Sequence, residues 1–361
     1  MKTKIRESNL ELLRIIAMIL IFYSHYVYWG IKNLESNKYF NNLLFDFLSL
    51  GGKIGVNIFI FISVWFLIEA KFNIKKLIVL ILKVKIYEII FFILAILLKE
   101  KLTLKLVVIS FFPVLFKHYW FITCYIMLYI ASPYLNLVLI RLTKQEIKGI
   151  LTILLTIFCI LQTFIGNRLF YNEFIWFVIL YFLTFYLKKY CVLKKSSLFL
   201  KIGLGAYLSI FCISHISNYF NLDFYLIGEY TIVVLVISLT FFIYFLQLNL
   251  GYKKIINSIS ASTLTVYLIH ENIFGRNIIW EKILKISRIV NLDTKLVIIH
   301  IIGSVLLIFV LSILADKILE YILNKLCNNK IDLLCRYLER KKIYIWDKIF
   351  KISEKFEKGE R

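Results

Sequence analysis

The sequence has few charged residues and almost no proline. Of its 361 residues, 18% are charged and only 2 are proline, whereas 61% are hydrophobic and 17% are aromatic. A soluble domain would be about half apolar. The apolar residues form continuous runs and do not alternate with polar ones, which excludes a membrane β-barrel. Only helices and closed barrels satisfy the backbone in lipid, so the composition predicts an all-α, polytopic membrane helix bundle.

Motifs typical of several other protein classes are missing as well. The six cysteines never form a CxxC pair, and none of the five histidines stands four residues from a second metal ligand. We therefore expect no metal site and no permanently bound cofactor, and we interpret the cysteines as spectators in lipid or in a reducing compartment. No small-residue cleavage site follows the first apolar run, so we expect no cleaved signal peptide.

Ten apolar runs are long enough to cross a bilayer as helices. They lie near residues 10–30, 53–70, 76–98, 119–140, 148–166, 173–189, 198–217, 227–248, 259–280 and 295–318. With Lys2, Lys4 and Arg6 in the cytoplasm, every inner loop is basic and the outer loops are mixed, as the positive-inside rule requires. We predict about ten transmembrane helices in a cell membrane, with both termini cytoplasmic. Because the cations are spread over loops and a tail, the net charge of +22 does not indicate a nucleic-acid partner.

Two segments differ from these runs. The outer connection 99–118 holds an apolar stretch, residues 104–116, that is too short to span and is broken at Pro113. This predicts a re-entrant or interfacial helix. Residues 1–318 are predicted to form the membrane domain, and 319–361 a basic cytoplasmic tail. The apolar positions of the tail, from Ile343 to Ile352, suit an amphipathic helix on the anionic inner leaflet, and a soluble tail is the alternative.

The first run carries an acid, an arginine and a histidine. Arg14 and His25 are eleven residues apart, which at ~100° per residue places both on one helix face, about 16 Å apart along the axis. Glu11 lies one turn before Arg14 and either pairs with it or extends towards the membrane surface. An imidazole in hydrocarbon needs partners, so we interpret His25 as functional. Its acid partner has to come from another span, because Glu11 is too far away.

Four further places interrupt the apolar pattern. They are the glycine-rich stretch that ends at Asn57, the pair Lys83 and Lys85, the pair Tyr119 and Trp120, and the segment with His270 and Glu271. Helix packing, positive-inside bias and an aromatic belt explain the first three without a function. The lysines also suit a polyphosphate ligand, and the aromatic rings suit a sugar face. The density of polar groups at the fourth place favours a cavity.

Taken together, these residues resemble the acyltransferase-3 family of integral membrane enzymes, which modify surface glycans. The resemblance covers roughly residues 6 to 315. It is carried by Arg6…Asn9-Leu10-Glu11-Leu12-Leu13-Arg14-Ile15-Ile16-Ala17 with His25, by Gly55-Val56-Asn57-Ile58-Phe59-Ile60-Phe61-Ile62-Ser63, by Trp120-Phe121 with Tyr125, Tyr129 and Pro133, and by Tyr267-Leu268-Ile269-His270. The chain departs from the family at Val64, where glycine is usual, and at Lys83 and Lys85, where the family has paired arginines.

The resemblance implies transfer of an acyl group, usually acetyl, from cytoplasmic acetyl-CoA to a hydroxyl of a cell-surface or exported polysaccharide. The implied partners are acetyl-CoA, a glycan or lipid-linked oligosaccharide acceptor, and membrane lipid. An alcohol is a weak nucleophile and needs a base with a pKa of about 7, which imidazole provides. We therefore assign His25 as the general base or transient acyl acceptor, with Arg14 as the second catalytic candidate.

The other candidate residues divide between the donor side and the acceptor side. The donor-side candidates are Lys83, Lys85 and Glu11, and the acceptor-side candidates are Tyr119, Trp120, His270, Glu271 and Asn57. The main alternative is a polysaccharide transporter or flippase without acyl chemistry, for which we expect more spans or an internal repeat. A glycan polymerase is a third reading, but it would have a large outer loop.

Overall fold

A computed structural model describes residues 8–31, 34, 36–165, 171–193, 196–219, 227–327 and 329–341. All regular elements in these ranges are helical, which confirms the predicted all-α class. The α-helices are α1 Ser8–His25, α2 Tyr39–Ser49, α3 Gly51–Leu67, α4 Ile74–Leu97, α5 Leu104–Phe111, α6 Trp120–Arg141, α7 Lys144–Leu155, α8 Leu161–Ile165, α9 Glu173–Tyr190, α10 Leu198–Tyr219, α11 Ile232–Leu246, α12 Lys254–Ala261, α13 Thr263–His270, α14 Thr294–Ile322 and α15 329–341. Shorter π- or 3₁₀-helical segments are Tyr26–Ile31, Thr156–Ile160, Asn277–Ile283, Ile286–Arg288 and Leu323–Cys327.

Six helical stretches of the described chain are long and apolar enough to cross a membrane. They are Ser8–Ile31, Tyr39–Leu67, Trp120–Arg141, Lys144–Ile165, Leu198–Ser217 and Thr294–Lys325. Two other predicted spans, α4 and α9, are long enough, but α4 carries five charged residues and α9 three, and α11 has only 15 residues. The chain therefore has the helices of a membrane protein, and the predicted number of about ten crossings stays a prediction.

The structure differs most from the sequence prediction at residues 259–280. The predicted span is divided into α12, α13 and a π-helical segment, with a turn between α13 and that segment. The side-chain oxygen of Asn272 accepts hydrogen bonds from the backbone of Phe274 and Gly275, both at 2.9 Å, and this ends the helix. Irregular backbone is tolerated at membrane depth where protein surrounds it, and Asn272 is fully buried.

The second predicted span also begins earlier than expected. The helix α2 continues into α3 through Leu50, which keeps helical backbone angles, so the helical stretch runs from Tyr39 to Leu67. The connection 99–118 forms the eight-residue helix α5, in agreement with the short helix predicted there.

α1 lies at the centre of the bundle and packs against α3, α11, α12 and α13. It approaches α3 most closely at two glycines. A Cβ atom added to Gly55 would lie 2.6 Å from the backbone oxygen of Ala17, and one added to Gly52 would lie 2.5 Å from the Ser24 hydroxyl. Small residues at this crossing therefore bring the backbones together, as the glycine-rich sequence indicated.

The chain remains helical beyond the predicted domain boundary at residue 318. α14 ends at Ile322, and α15 follows with Ile331 buried and with Asp332 2.7 Å from the Lys75 ammonium. The amphipathic positions predicted between Ile343 and Ile352 lie outside the described residues, as do the N-terminal cations Lys2, Lys4 and Arg6. The division into a membrane domain and a tail stays a prediction.

Candidate functional site

One cavity of about 870 Å³ runs through the bundle between α1, α3, α4, α6 and α13. We call the end near Asn73 the inner end, because it adjoins basic loops, and the end near His25 the outer end. The charged residues that line it are Arg14, Lys53, Lys75, Lys76, Lys83 and Glu320. The cavity is therefore strongly cationic along its length. Both Arg14 and His25 line it, as expected from their common helix face.

His25 is held by His270 and Glu271, which stand at the end of α13. Its Nδ1 lies 3.0 Å from Nε2 of His270 and 3.1 Å from a carboxylate oxygen of Glu271. His270 Nδ1 lies 2.6 Å from the carbonyl oxygen of Val266, which can only accept, so this nitrogen carries a proton. His270 Nε2 is then an acceptor and His25 Nδ1 the donor. This order leaves the lone pair on His25 Nε2, the nitrogen that a general base would use.

The Glu271 carboxylate, beside the His25 ring, is fixed by two further partners. One carboxylate oxygen accepts from Trp29 Nε1 at 2.8 Å, and the other from the Arg276 guanidinium at 2.5 Å. The guanidinium carbon of Arg276 also lies 3.4 Å from the centre of the Trp29 ring. The acid partner predicted to come from another span is thus Glu271. Trp29 lies four residues after His25, the spacing of one helical turn, but its role was not inferred from the sequence. The stacking of Arg276 on Trp29 depends on the packing of segments that are distant in the sequence.

Glu11 pairs with Arg14 and does not extend to the membrane surface. Its side chain is fully buried and lies 2.6 Å from the guanidinium of Arg14. The hydroxyl of Ser260, on α12, donates a further hydrogen bond to the same carboxylate oxygen. Glu11 therefore positions Arg14 on the cavity wall.

The two candidate lysines of α4 lie on opposite sides of the helix. Lys83 lines the cavity, with its ammonium 2.5 Å from the buried carboxylate of Asp316 on α14. Asp316 also accepts a hydrogen bond from Thr265 at 2.8 Å. Lys85 follows two residues later, a rotation of ~200°, and its side chain is exposed outside the cavity. Asp316 was missed in the sequence because it lies near the end of a long apolar run.

The aromatic pair at the start of α6 separates in the same way. Trp120 lines the outer end of the cavity. Tyr119 is only 1% exposed and does not line it. The Tyr119 hydroxyl donates to the Leu268 carbonyl at 3.2 Å and accepts from the Asn272 amide at 2.6 Å. An interfacial belt position for Tyr119 is thus wrong, because this side chain is enclosed by the bundle and its hydroxyl is paired there.

Asn57 lies behind the cavity wall. Its amide donates to the Glu229 carbonyl at 2.7 Å and its side-chain oxygen accepts from Trp176 Nε1 at 2.9 Å, so both polar groups are used in helix packing. One turn earlier, Lys53 does line the cavity, with its ammonium 2.8 Å from the Glu229 carboxylate. Lys53 stands within the glycine-rich stretch of the sequence, but no pattern there distinguished it from an ordinary boundary lysine.

The wall of the cavity thus offers a histidine base at one end and anion-binding groups along its length. Within the ranges that the structure describes, no group of three or more His, Cys, Asp or Glu side chains is placed to hold a metal ion. A family model for an acyltransferase domain, Acyl_transf_3, matches residues 7–317. No curated protein and no solved structure gives a significant match. Since the family match covers most of the chain and all of the cavity except Glu320, this protein belongs to the acyltransferase-3 family.

Proposed function

We propose that the protein is a membrane O-acetyltransferase. It would move an acetyl group from cytoplasmic acetyl-CoA to a hydroxyl of a cell-surface or exported polysaccharide. The observation that carries the proposal is a continuous cavity that joins a cationic inner end to the His25 ring at the outer end. Acyl donor and acceptor can approach one base from opposite ends of such a cavity.

The inner end fits the phosphates of acetyl-CoA. α4 begins there, Asn73 caps its first turn, and both Lys75 and Lys76 line the cavity mouth. A helix N-terminus with adjacent lysines is a favourable site for phosphate groups. Deeper in the cavity, Arg14 and Lys83 would hold the remaining anionic part of the donor.

The outer end fits the transfer step. His25 Nε2 would take the proton of the acceptor hydroxyl, whose oxygen then attacks the thioester carbonyl. Glu271 would stabilise the resulting imidazolium, because it lies 3.1 Å from the other ring nitrogen. The departing thiolate would recover the proton from His25. Trp120 offers an aromatic face to the acceptor sugar, and His270 keeps the His25 ring in place.

We further propose about ten crossings of the cell membrane, with both termini cytoplasmic. The support is the charge of the short loops, which are basic wherever this arrangement places them inside. In this orientation the cavity mouth at Lys75 and Lys76 faces the cytoplasm, where acetyl-CoA is found, and His25 faces the outer side.

The first test compares the O-acetyl content of purified surface polysaccharide by proton NMR. It uses cells with the intact gene, without it, with His25→Ala and with His215→Ala. His215 is the matched control, because it hydrogen-bonds Tyr39 at 2.9 Å and does not line the cavity. We expect acetyl signals to disappear without the gene and with His25→Ala, at unchanged polysaccharide amount, and to persist with His215→Ala.

A transporter would give a different result, since a cavity with two ends also suits translocation. Loss of the polysaccharide itself, with constant acetylation per sugar, would contradict the proposal and favour a transporter or flippase. Normal acetylation in a His25→Ala strain with normal protein levels would remove His25 from the mechanism.

A further inference from the structure

We propose that Lys53 is a catalytic residue, whose ammonium stabilises the negative charge that develops on the thioester carbonyl oxygen during acyl transfer. The inference rests on the proposed acetyl transfer and assigns a group that the sequence signatures do not include. A base alone activates the hydroxyl, but the carbonyl oxygen also needs a hydrogen-bond donor or a positive charge as the tetrahedral species forms.

Lys53 lies at the same end of the cavity as His25. The α3 backbone at Gly52 touches α1 at Ser24, where an added Cβ would lie 2.5 Å from the serine hydroxyl. His25 and Lys53 follow these two residues in the chain, and all four line the cavity. A carbonyl group bound beside His25 therefore lies within reach of this ammonium.

A set of buried groups holds the ammonium at this place. The Glu229 side chain is only 5% exposed and lies 2.8 Å from the ammonium. Glu229 also accepts a hydrogen bond from the Tyr171 hydroxyl, and its carbonyl accepts from Asn57 at 2.7 Å. Trp176 fixes Asn57 in turn. Asn57 thereby acts through Glu229 as a positioning residue for Lys53.

The ammonium has donors left for the reaction. It carries three N–H groups, and the Glu229 carboxylate faces one side of it. The side chain is 38% exposed towards the cavity and stands 5.5 Å from the centre of the Trp120 ring. The carboxylate behind it keeps the lysine charged in a membrane environment, where an unpaired cation is costly.

Other cations are less well placed for this task. Arg276 does not line the cavity, and its guanidinium binds Glu271 and stacks on Trp29. Arg14 lines the cavity, but about 16 Å from His25 along α1 and in contact with Glu11. Among the described charged residues that line the cavity, Lys53 is thus the cation of the outer end.

In the transfer step, His25 moves the proton and Lys53 stabilises the negative charge. The acceptor O–H bond breaks as its proton moves to His25 Nε2, and the oxygen forms a bond to the thioester carbon. The carbonyl π electrons move to oxygen, and the oxyanion accepts a hydrogen bond from Lys53. When the carbonyl re-forms, the C–S bond breaks and the thiolate takes the proton from His25. Lys53 keeps its own proton throughout.

The test measures CoA release from acetyl-CoA by the full-length protein in lipid nanodiscs. The acceptor is surface polysaccharide isolated from cells that lack the gene. Lys53→Met should lower kcat by about 100-fold, the loss typical of a removed oxyanion donor, and change the KM of either substrate less than about 3-fold. Lys148→Met is the matched control, because this exposed lysine of α7 does not line the cavity, and it should keep wild-type kinetics.

A double variant distinguishes a loss of catalysis from a loss of folding. Lys53→Met alone leaves the buried Glu229 carboxylate unpaired, which destabilises a protein, whereas Lys53→Met with Glu229→Gln removes both charges. The double variant should show the same loss of kcat. Unchanged kcat in a folded variant, or a rise in the KM for polysaccharide alone, would overturn the inference while leaving acetyl transfer intact. If the wild-type protein releases no CoA and His25→Ala equals wild type, the proposed function itself fails.

Discussion

Along the cavity, each basic side chain that penetrates the bundle has an acid buried directly behind it. The pairs are His25 with Glu271, Arg14 with Glu11, Lys53 with Glu229 and Lys83 with Asp316. The acid side chains are at most 8% exposed, whereas the bases reach the cavity. An isolated charge in a low-dielectric interior is costly, so pairing keeps each base charged or correctly oriented. The acids are therefore positioning residues, and the bases face the substrate.

This arrangement makes a prediction for Glu271. Glu271→Gln keeps the size of the side chain but removes the anion beside His25, so the imidazolium formed in the transfer step loses its partner. We expect kcat for acetyl transfer to fall roughly 10- to 100-fold, up to the lower end of general acid–base effects because His25 itself remains, with KM for acetyl-CoA nearly unchanged. Glu271→Asp should recover part of the rate. Equal kcat in Glu271→Gln and wild type would show that the acid serves only in packing.

The sequence indicated both residues of two pairs, His25 with Glu271 and Arg14 with Glu11. It indicated only Lys83 of the third pair and neither residue of the pair Lys53 and Glu229. Of the two alternatives for Glu11, the structure shows the pair with Arg14, which was foreseeable because both residues stand on α1, where helical geometry fixes their spacing. Asp316 and Glu229 approach their lysines only through the packing of distant helices. No periodicity within one element contains that information, so these two acids required the structure.

The crossing of α1 and α3 determines where the site residues meet. The glycines of α3 let its backbone touch α1 at Ala17 and Ser24, and this contact places Lys53 at the same cavity end as His25. The close packing was predicted from the glycine-rich stretch. The break between α12 and α13 and the turn at Asn272 were not predicted, because they depend on side-chain hydrogen bonds within an apolar background.

Two identical substitutions should therefore have opposite effects on stability. Gly55→Ala places a Cβ atom 2.6 Å from the Ala17 backbone oxygen, so α1 and α3 must separate, and we expect a loss of about 1–3 kcal/mol. Gly149→Ala, inside α7, meets no atom within 4 Å and should stabilise the helix by up to about 1 kcal/mol. Thermal unfolding of the purified proteins, followed by size-exclusion chromatography, measures both. A lower Tm for Gly149→Ala than for Gly55→Ala would contradict this account of the crossing.

On the scale of the whole molecule, the charges of the cavity and those of the loops indicate the same orientation of the protein in the membrane. Lys75 and Lys76 lie at the cavity mouth, in the first turn of α4, and follow a loop that the charge distribution assigns to the cytoplasm. The proposed arrangement puts Lys144, at the start of α7, on the same side, and Lys99, between α4 and α5, on the opposite side. An anionic donor would thus meet the cationic end of the cavity first, and the acceptor would meet His25.

Cysteine labelling in intact cells tests this orientation. In a protein whose native cysteines are replaced by alanine, a membrane-impermeant maleimide should label the Lys99→Cys variant and leave the Lys144→Cys variant unlabelled. Both variants should react after the cells are permeabilised, which controls for burial of the thiol. Because one orientation exposes Lys99 and the other Lys144, the reverse pattern would place the basic loops outside and would separate the cavity mouth from cytoplasmic acetyl-CoA. Labelling of both residues in intact cells would show that the segment between them crosses the membrane an even number of times. The proposed arrangement has a single crossing there, by α6, so this result would contradict it.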